Sequence, residues 1–327
     1  MVSFARLKSG FAWIAKPGAL PAAVVCSFAL FASPPGGQAD FQVDSTLVVL
    51  HVTVTDHKGR FIRELPESDF HVFEDGVEQK IAVFRREESP VAVGLVVDNS
   101  GSMRRKIPDV VAASDAFARS SNPQDQMFIV NFNENVSLGL PPGEAFVSDP
   151  AKLKAAMLEI TARGETALYD AVLSALAHIR QSALKKKVLI VVSDGGDNAS
   201  RHHLQDLLSQ LRASNVIVYT VGLFDLYDRD RNPDVLRQIA SVSGGESFFP
   251  KKIYAVTNVL EAISRDIRNQ YTIAYKPLDR NQNGTFRTIR VTLTGPQSDR
   301  WVARTRTGYV AGAPDFADSE LGKVRQR

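Results

Sequence analysis

The chain has 327 residues, 39 basic and 36 acidic, with 44% hydrophobic residues and a single cysteine. This length suffices for one large or two modest domains with a full core, and the composition excludes a disordered or collagen-like chain. The first 39 residues hold Arg6, Lys8 and Lys16 and no acid, so the remainder carries 36 residues of each sign and gives no reason to expect a nucleic-acid partner.

Residues 1–39 read as an export signal. A basic start precedes the apolar stretch Leu20 to Ala32, which is short and flanked by Pro, and Gly37-Gln38-Ala39 offers small residues for cleavage. An uncleaved N-terminal anchor is the alternative. Cys26 leaves with a cleaved signal, so a Cys-based zinc site and disulfides are excluded from the mature chain. No later segment is long and apolar enough to span a membrane. The expected location is the periplasm or the extracellular space.

Residues 40–89 read as a β segment. Leu47 to Thr55 is rich in β-branched residues, a turn follows at Asp56 to Gly59, and Phe70 to Glu74 leads through Asp75-Gly76 into a return strand, Gln79 to Phe84. From Val91 the pattern changes. Val91 to Val97, Met127 to Val130, Val188 to Val192 and Val216 to Val221 are nearly unbroken apolar runs, the habit of parallel strands buried on both faces. Helical periods alternate with them: Pro108 to Ser120, Pro150 to Thr161, Ala167 to Ser182, Arg201 to Ala213, Pro233 to Ser243 and Tyr254 to Arg268.

This alternation over residues 90–270 predicts an α/β fold, a doubly wound, mostly parallel sheet with helices on both faces. Strands return in residues 271–313, at Tyr271 to Tyr275, Phe286 to Thr294 and Trp301 to Arg306. These are expected to pair with residues 40–89 as a small flanking β domain, with separate hairpins as the alternative. Residues 314–327 are polar and aperiodic, the pattern of a disordered tail.

In an open α/β sheet, ligands bind beyond the carboxyl ends of the strands. Asp98-Asn99-Ser100-Gly101-Ser102 follows one apolar run, Ser193-Asp194-Gly195-Gly196-Asp197 follows another, and Gly164-Glu165-Thr166 opens a helix. Two carboxylates and three hydroxyls at one sheet edge form an oxygen donor set suited to a hard divalent cation, with coordination positions left over. The plain alternative makes Asp98 and Asp194 turn caps and Thr166 the N-cap of the helix at Ala167.

Asp98-x-Ser100-x-Ser102, Thr166 and Asp194 resemble, in order and setting, the metal-ion-dependent adhesion site of von Willebrand factor type A (VWA) domains. The signatures Asp69-Phe70-x-Val72-Phe73-Glu74-Asp75-Gly76 and Arg304-x-Arg306-x-Gly308-Tyr309 are similar to those of the VWFA-related proteins of acidobacteria. The resemblance implies Mg²⁺, or Mn²⁺ or Ca²⁺, held by Asp98, Ser100, Ser102, Thr166 and Asp194. It further implies metal-dependent binding or adhesion to a protein ligand that presents an acidic side chain. Two other readings compete: an envelope structural module whose metal only stabilises it, and a metal-assisted hydrolase. With no GxSxG, HExxH or GxxxxGK[ST] pattern, the chain is not expected to be an enzyme.

Other polar groups have plainer readings. Asp279 to Gly284 begins like a calcium loop but lacks its closing Glu, so a hairpin turn at Asn283-Gly284 is expected. Asp225, Asp228, Asp230 and Asn232 form an acidic loop, either a second cation site or a solvated loop with Asn232 capping the helix at Pro233. His202-His203 lacks further zinc ligands. Arg104-Arg105-Lys106 beside the metal loop is either a steering patch for an acidic partner or a solvated face.

Overall fold

Strands buried on both faces must be apolar throughout, and the central sheet shows it. Val91–Asp98 is buried at every position, and so is Ile217–Gly222. The computed structural model describes residues 47–86, 89–158, 162–224 and 231–313, all within one compact unit spanning residues 44–327. The proposed signal, the tail from Pro314 and the acids Asp225, Asp228 and Asp230 lie outside the described residues.

In chain order the elements begin with strands β1 (Val48–Asp56), β2 (Phe70–Glu74), β3 (Val77–Gln79), β4 (Ile81–Arg85) and β5 (Val91–Asp98). There follow α1 (Ile107–Arg119), β6 (Gln126–Phe132), β7 (Val136–Leu138), α2 (Pro150–Leu158), α3 (Leu168–Ile179) and β8 (Lys186–Ser193). Next come α4 (Leu204–Arg212), β9 (Ile217–Gly222), α5 (Pro233–Ser243), β10 (Ser247–Phe248) and α6 (Val256–Arg268). The chain closes with β11 (Tyr271–Tyr275), β12 (Phe286–Leu293), β13 (Trp301–Arg304) and β14 (Gly308–Val310).

The six-stranded sheet runs β10-β9-β8-β5-β6-β7, parallel except for β7. One helical layer packs α1 against α2 and α6, and the other packs α3, α4 and α5 in series. This is the expected doubly wound α/β fold. From β5 the chain first moves outward to β6 and later returns on the other side to β8. The order therefore reverses between β5 and β8, which places a ligand crevice at their carboxyl ends. Gly94 lets neighbouring side chains fill the middle of β5: a Cβ there would stand 2.4 Å from Phe128 Cζ and 2.6 Å from Leu189 Cδ2.

The flanking strands form two antiparallel sheets, β13-β1-β11-β4 and β14-β12-β2-β3, each built from both ends of the chain. Their burial alternates, as in β2 where Phe70, Val72 and Glu74 are buried and His71 and Phe73 are less so. The Asp75-Gly76 turn has φ of 49° and 82°, the left-handed pair a tight hairpin requires.

Two expectations need correction here. The single return strand is two strands, because buried Gln79 ends β3 by donating to the Val77 carbonyl and accepting from Leu278 N–H, and β4 then joins the other sheet. Nor does Asn283-Gly284 close a hairpin. Gly284 has the φ of a turn, 75°, but β11 and β12 belong to different sheets. The linker is instead gathered onto Arg287, which donates to the carbonyls of Asp279 and Asn281.

Glu74 and Tyr309, one from each flanking signature, meet. Glu74 accepts from Tyr309 Oη at 3.0 Å and Tyr275 Oη at 2.6 Å, and pairs with Arg287 at 3.0 Å, both charged side chains being 4% exposed. Arg304 pairs with Asp266 of α6 and donates to the Gly244 carbonyl, while Arg306 donates to the carbonyls of Arg212 and Ser214 at the end of α4. Gly244 ends α5 at φ 85°, and a Cβ there would meet Arg306 N at 2.4 Å, so only glycine admits this contact.

Candidate metal centre

Three loops meet at the carboxyl ends of β5 and β8. Asp98 ends β5 with its side chain fully buried, and its Oδ1 accepts from Ser100 N–H at 2.8 Å, which turns the chain sharply into a short 3-10 turn at Gly101–Met103. Ser193, the last residue of β8, donates its hydroxyl to Asp98 Oδ2 at 2.6 Å and accepts from Gly195 N–H at 3.0 Å. Asp194 Oδ2 accepts from Ser102 Oγ at 2.5 Å, and Ser102 lies 3.1 Å from Ser100 Oγ. Asp194 Oδ1 accepts from Gly196 N–H at 3.1 Å. Asp98, Ser100, Ser102 and Asp194 therefore form one contiguous set of oxygen atoms.

Thr166 makes no hydrogen bond to these four among the described residues, and its backbone is held by residues that follow Asp194. Its N–H donates to Asn198 Oδ1 at 2.8 Å, and its carbonyl accepts from Asn198 N–H and Ala199 N–H. The same loop receives Gly101 N–H on the Gly164 carbonyl at 3.1 Å, which ties it to the Asp98 loop. Thr166 is 7% exposed and makes no side-chain hydrogen bond among the described residues. It is not an N-cap: Ala167 occupies that position without a side-chain cap. The first amides of α3 are capped from the neighbouring loop instead, Tyr169 N–H by Asp197 Oδ2 at 2.9 Å and Asp170 N–H by Ser200 Oγ at 3.1 Å.

Sequence reasoning missed Ser193, Asp197, Asn198 and Ser200, which orient the donors without belonging to the set. The signal was the polar run Ser193 to Ser200 after a wholly apolar strand, which has more polar groups than a turn requires.

The electrostatics favour a cation. Asp98 and Asp194 are 0% and 2% exposed, and neither forms an ion pair among the described residues. Burial and the neighbouring Asp194 charge push the Asp98 carboxyl up to about 6. Two buried like charges among hydroxyl oxygens leave an electrostatic deficit that a divalent ion of hard character would relieve. Among the described residues no three His, Cys, Asp or Glu side chains cluster, so the donors that fit are these carboxylates and hydroxyls.

The surroundings revise one expectation and bear out another. Lys106 is not on a solvated face: it is 4% exposed and donates to the Leu223 carbonyl at 2.7 Å, whereas Arg104 and Arg105 are exposed. Asn232 caps α5, accepting from Val235 N–H at 3.2 Å. His202 sits exposed beside Asp170 at 2.7 Å, and His203 stands at the N-cap position of α4, donating its N–H to Asp206 Oδ2 at 2.9 Å.

The sequence profile described as von Willebrand factor type A domain matches residues 93–265, just over half of the chain. No curated protein matches the chain significantly in sequence. Among solved structures, a von Willebrand factor type A protein from Catenulispora acidiphila superposes with a TM-score of 0.50 at 15% identity, covering 82% of this chain and 73% of that one. Proximal thread matrix protein 1 from the mussel byssus, with a zinc-occupied MIDAS motif, gives a TM-score of 0.48 at 18% identity, covering 60% and 50%. The vWF domain of the type V pili tip protein Mfa5 from Porphyromonas gingivalis gives 0.41 at 14% identity, covering 54% and 96%.

Proposed function

The chain belongs to the von Willebrand factor type A family, and on that premise we propose that it is an exported binding protein whose metal site captures an acidic side chain of a partner protein. Asp98, Ser100, Ser102, Thr166 and Asp194 would hold the ion, Mg²⁺ in the first place and Mn²⁺ or Ca²⁺ as alternatives. The observation that carries this reading is the pair of buried carboxylates, without an ion pair among the described residues, in contact with two serine hydroxyls. When bound, the ion supplies a positive charge with coordination positions left for a ligand's carboxylate.

The chain's own residues do the positioning. Ser193 and the Ser100 amide fix the two oxygens of Asp98, and the Gly196 amide fixes Asp194. Ser102 bridges the two loops through Asp194. We propose binding rather than catalysis; hydrolysis of ester or phosphate substrates that is abolished by Asp194→Ala would overturn this. The N-terminal 39 residues carry the proposal of export, and no helix among the described residues is long and apolar enough to cross a membrane.

The test is thermal unfolding in chelator, Mg²⁺, Mn²⁺ and Ca²⁺, with Asp98→Ala alongside. At ten times its Kd a bound cation adds about 1.4 kcal/mol, which raises the midpoint of a domain this size by roughly 3–6 °C. The shift is expected in the wild type and absent in Asp98→Ala. A wild type that no cation stabilises, or a variant stabilised equally, would sink the metal site. Partners recovered from an envelope extract in Mg²⁺ should be lost in chelator.

A further inference from the structure

Away from the metal site, the two sheet systems leave a cleft of about 640 Å³ between them. Arg60, Arg63, Arg265 and Arg304 line it together with the acids Glu246 and Asp266, and Phe61 and Phe248 form an apolar wall. A smaller adjoining cavity of about 60 Å³ shares Arg63 and adds Arg86 and Arg268. Six arginines thus border these two hollows near β1, β13, β10 and α6.

The charges sort into paired and unpaired. Arg60 pairs with Asp56, Arg268 with Asp125, and Arg304 with Asp266 and Glu246. Arg63, Arg86 and Arg265 have no ion pair among the described residues. The two acids of the larger cleft, Glu246 and Asp266, are both engaged by Arg304, so Arg63 and Arg265 are the charges left open there. One nitrogen of the Arg268 guanidinium is buried without a hydrogen-bond partner among the described residues.

A guanidinium is a planar fork suited to carboxylate, and open arginines over an apolar wall suit a ligand with both acidic and apolar groups. A small anion would leave most of the row unused. A nucleic acid or other long polyanion would be served by a broad positive field, yet the whole chain has a formal charge of only +3. Two sheet edges border the cleft: β10, which carries Phe248, is the outermost strand of the central sheet, and β13, which carries Arg304, is the outermost strand of its own. Edge strands offer backbone groups to an extended chain.

We propose that this cleft is a second, metal-independent binding site, which takes an extended acidic peptide segment of a partner protein. Its carboxylates would meet Arg63 and Arg265, and its apolar side chains Phe61 and Phe248. The site shares no residue with the metal centre.

The test uses the full chain in chelator, which silences the metal centre, and a fluorescein-labelled ten-residue peptide alternating Glu and Val. Anisotropy should report saturable binding that weakens at least about tenfold in the double variant Arg63→Ser, Arg265→Ser. Both side chains are exposed and unpaired among the described residues, so the thermal midpoint should hold. The proposal is overturned by an absence of binding, by an unchanged affinity in the double variant, or by equal binding of a Lys-Val peptide. Displacement by inorganic phosphate or heparin at concentrations comparable to the peptide would mark a general anion patch and overturn it too.

Discussion

The central sheet and the flanking sheets are held by different means. In the first, every residue of β5 is buried and the interior is almost wholly apolar. In the second, a buried ion pair and two tyrosines sit where an apolar layer would otherwise close. Close-packed hydrocarbon tolerates changes of composition but not of volume. A buried polar network tolerates neither the loss of one member nor an orphaned charge.

This contrast can be broken most forcefully at Arg287. Arg287→Met leaves Glu74 buried with only the two tyrosine hydroxyls, and should cost about 3–5 kcal/mol in urea unfolding. The double variant Arg287→Met, Glu74→Gln should recover much of that loss. If the single variant is nearly neutral, the flanking sheets are held by apolar contacts after all.

In the central sheet the matching test is overpacking. Gly94→Ala puts a methyl group against Phe128 and Leu189 and should cost about 1–3 kcal/mol. A cost below about 0.5 kcal/mol, the size of an ordinary surface change, would mean that this sheet yields more than its burial suggests.

A smaller effect sharpens the contrast. Burial, with Lys186 and Arg306 nearby, pushes His51 on β1 down to about 3 from its ordinary 6.5. The native state therefore disfavours the charged ring. The stability that depends on neutral His51 is intact above pH 6.5 and is lost as pH falls toward 3. His51→Gln should flatten the urea midpoint between pH 7.5 and 4.5 relative to the wild type; identical slopes would count against the assignment.

Legibility followed the same division. The apolar runs at Val91 to Val97 and Val188 to Val192 announce strands covered on both sides, and the polar strings after them announce the crevice. That is why Asp98, Ser100, Ser102 and Asp194 could be picked out from the sequence, and hydrogen bonds link their loops in the structure. Ser193 was not readable as a partner of Asp98, because a serine at a strand end looks like any other.

In the flanking strands, alternation shows that a strand exists but not which sheet it joins. β3 and β4 part company at Lys80, and β11 and β12 separate across an Asn-Gly turn. Glu74 and Arg287, which meet within one of these sheets, are 213 positions apart. Arg304 and Arg306 stood out as a signature, but their partners on α4 and α6 lie outside any local pattern.

The pairing of β4 with β11 has a consequence for the order in which the protein is made. Arg85 and Thr272 face each other across one ladder, so the whole α/β region is spliced between two neighbouring strands. On β1, both neighbours, β11 and β13, are synthesised after that region, as is β12 beside β2. While the chain is being made, β1 and β4 wait unpaired, and the β2–β3 hairpin keeps one open edge, until the C-terminal segment arrives. The α/β region can fold before them, and the flanking sheets close last.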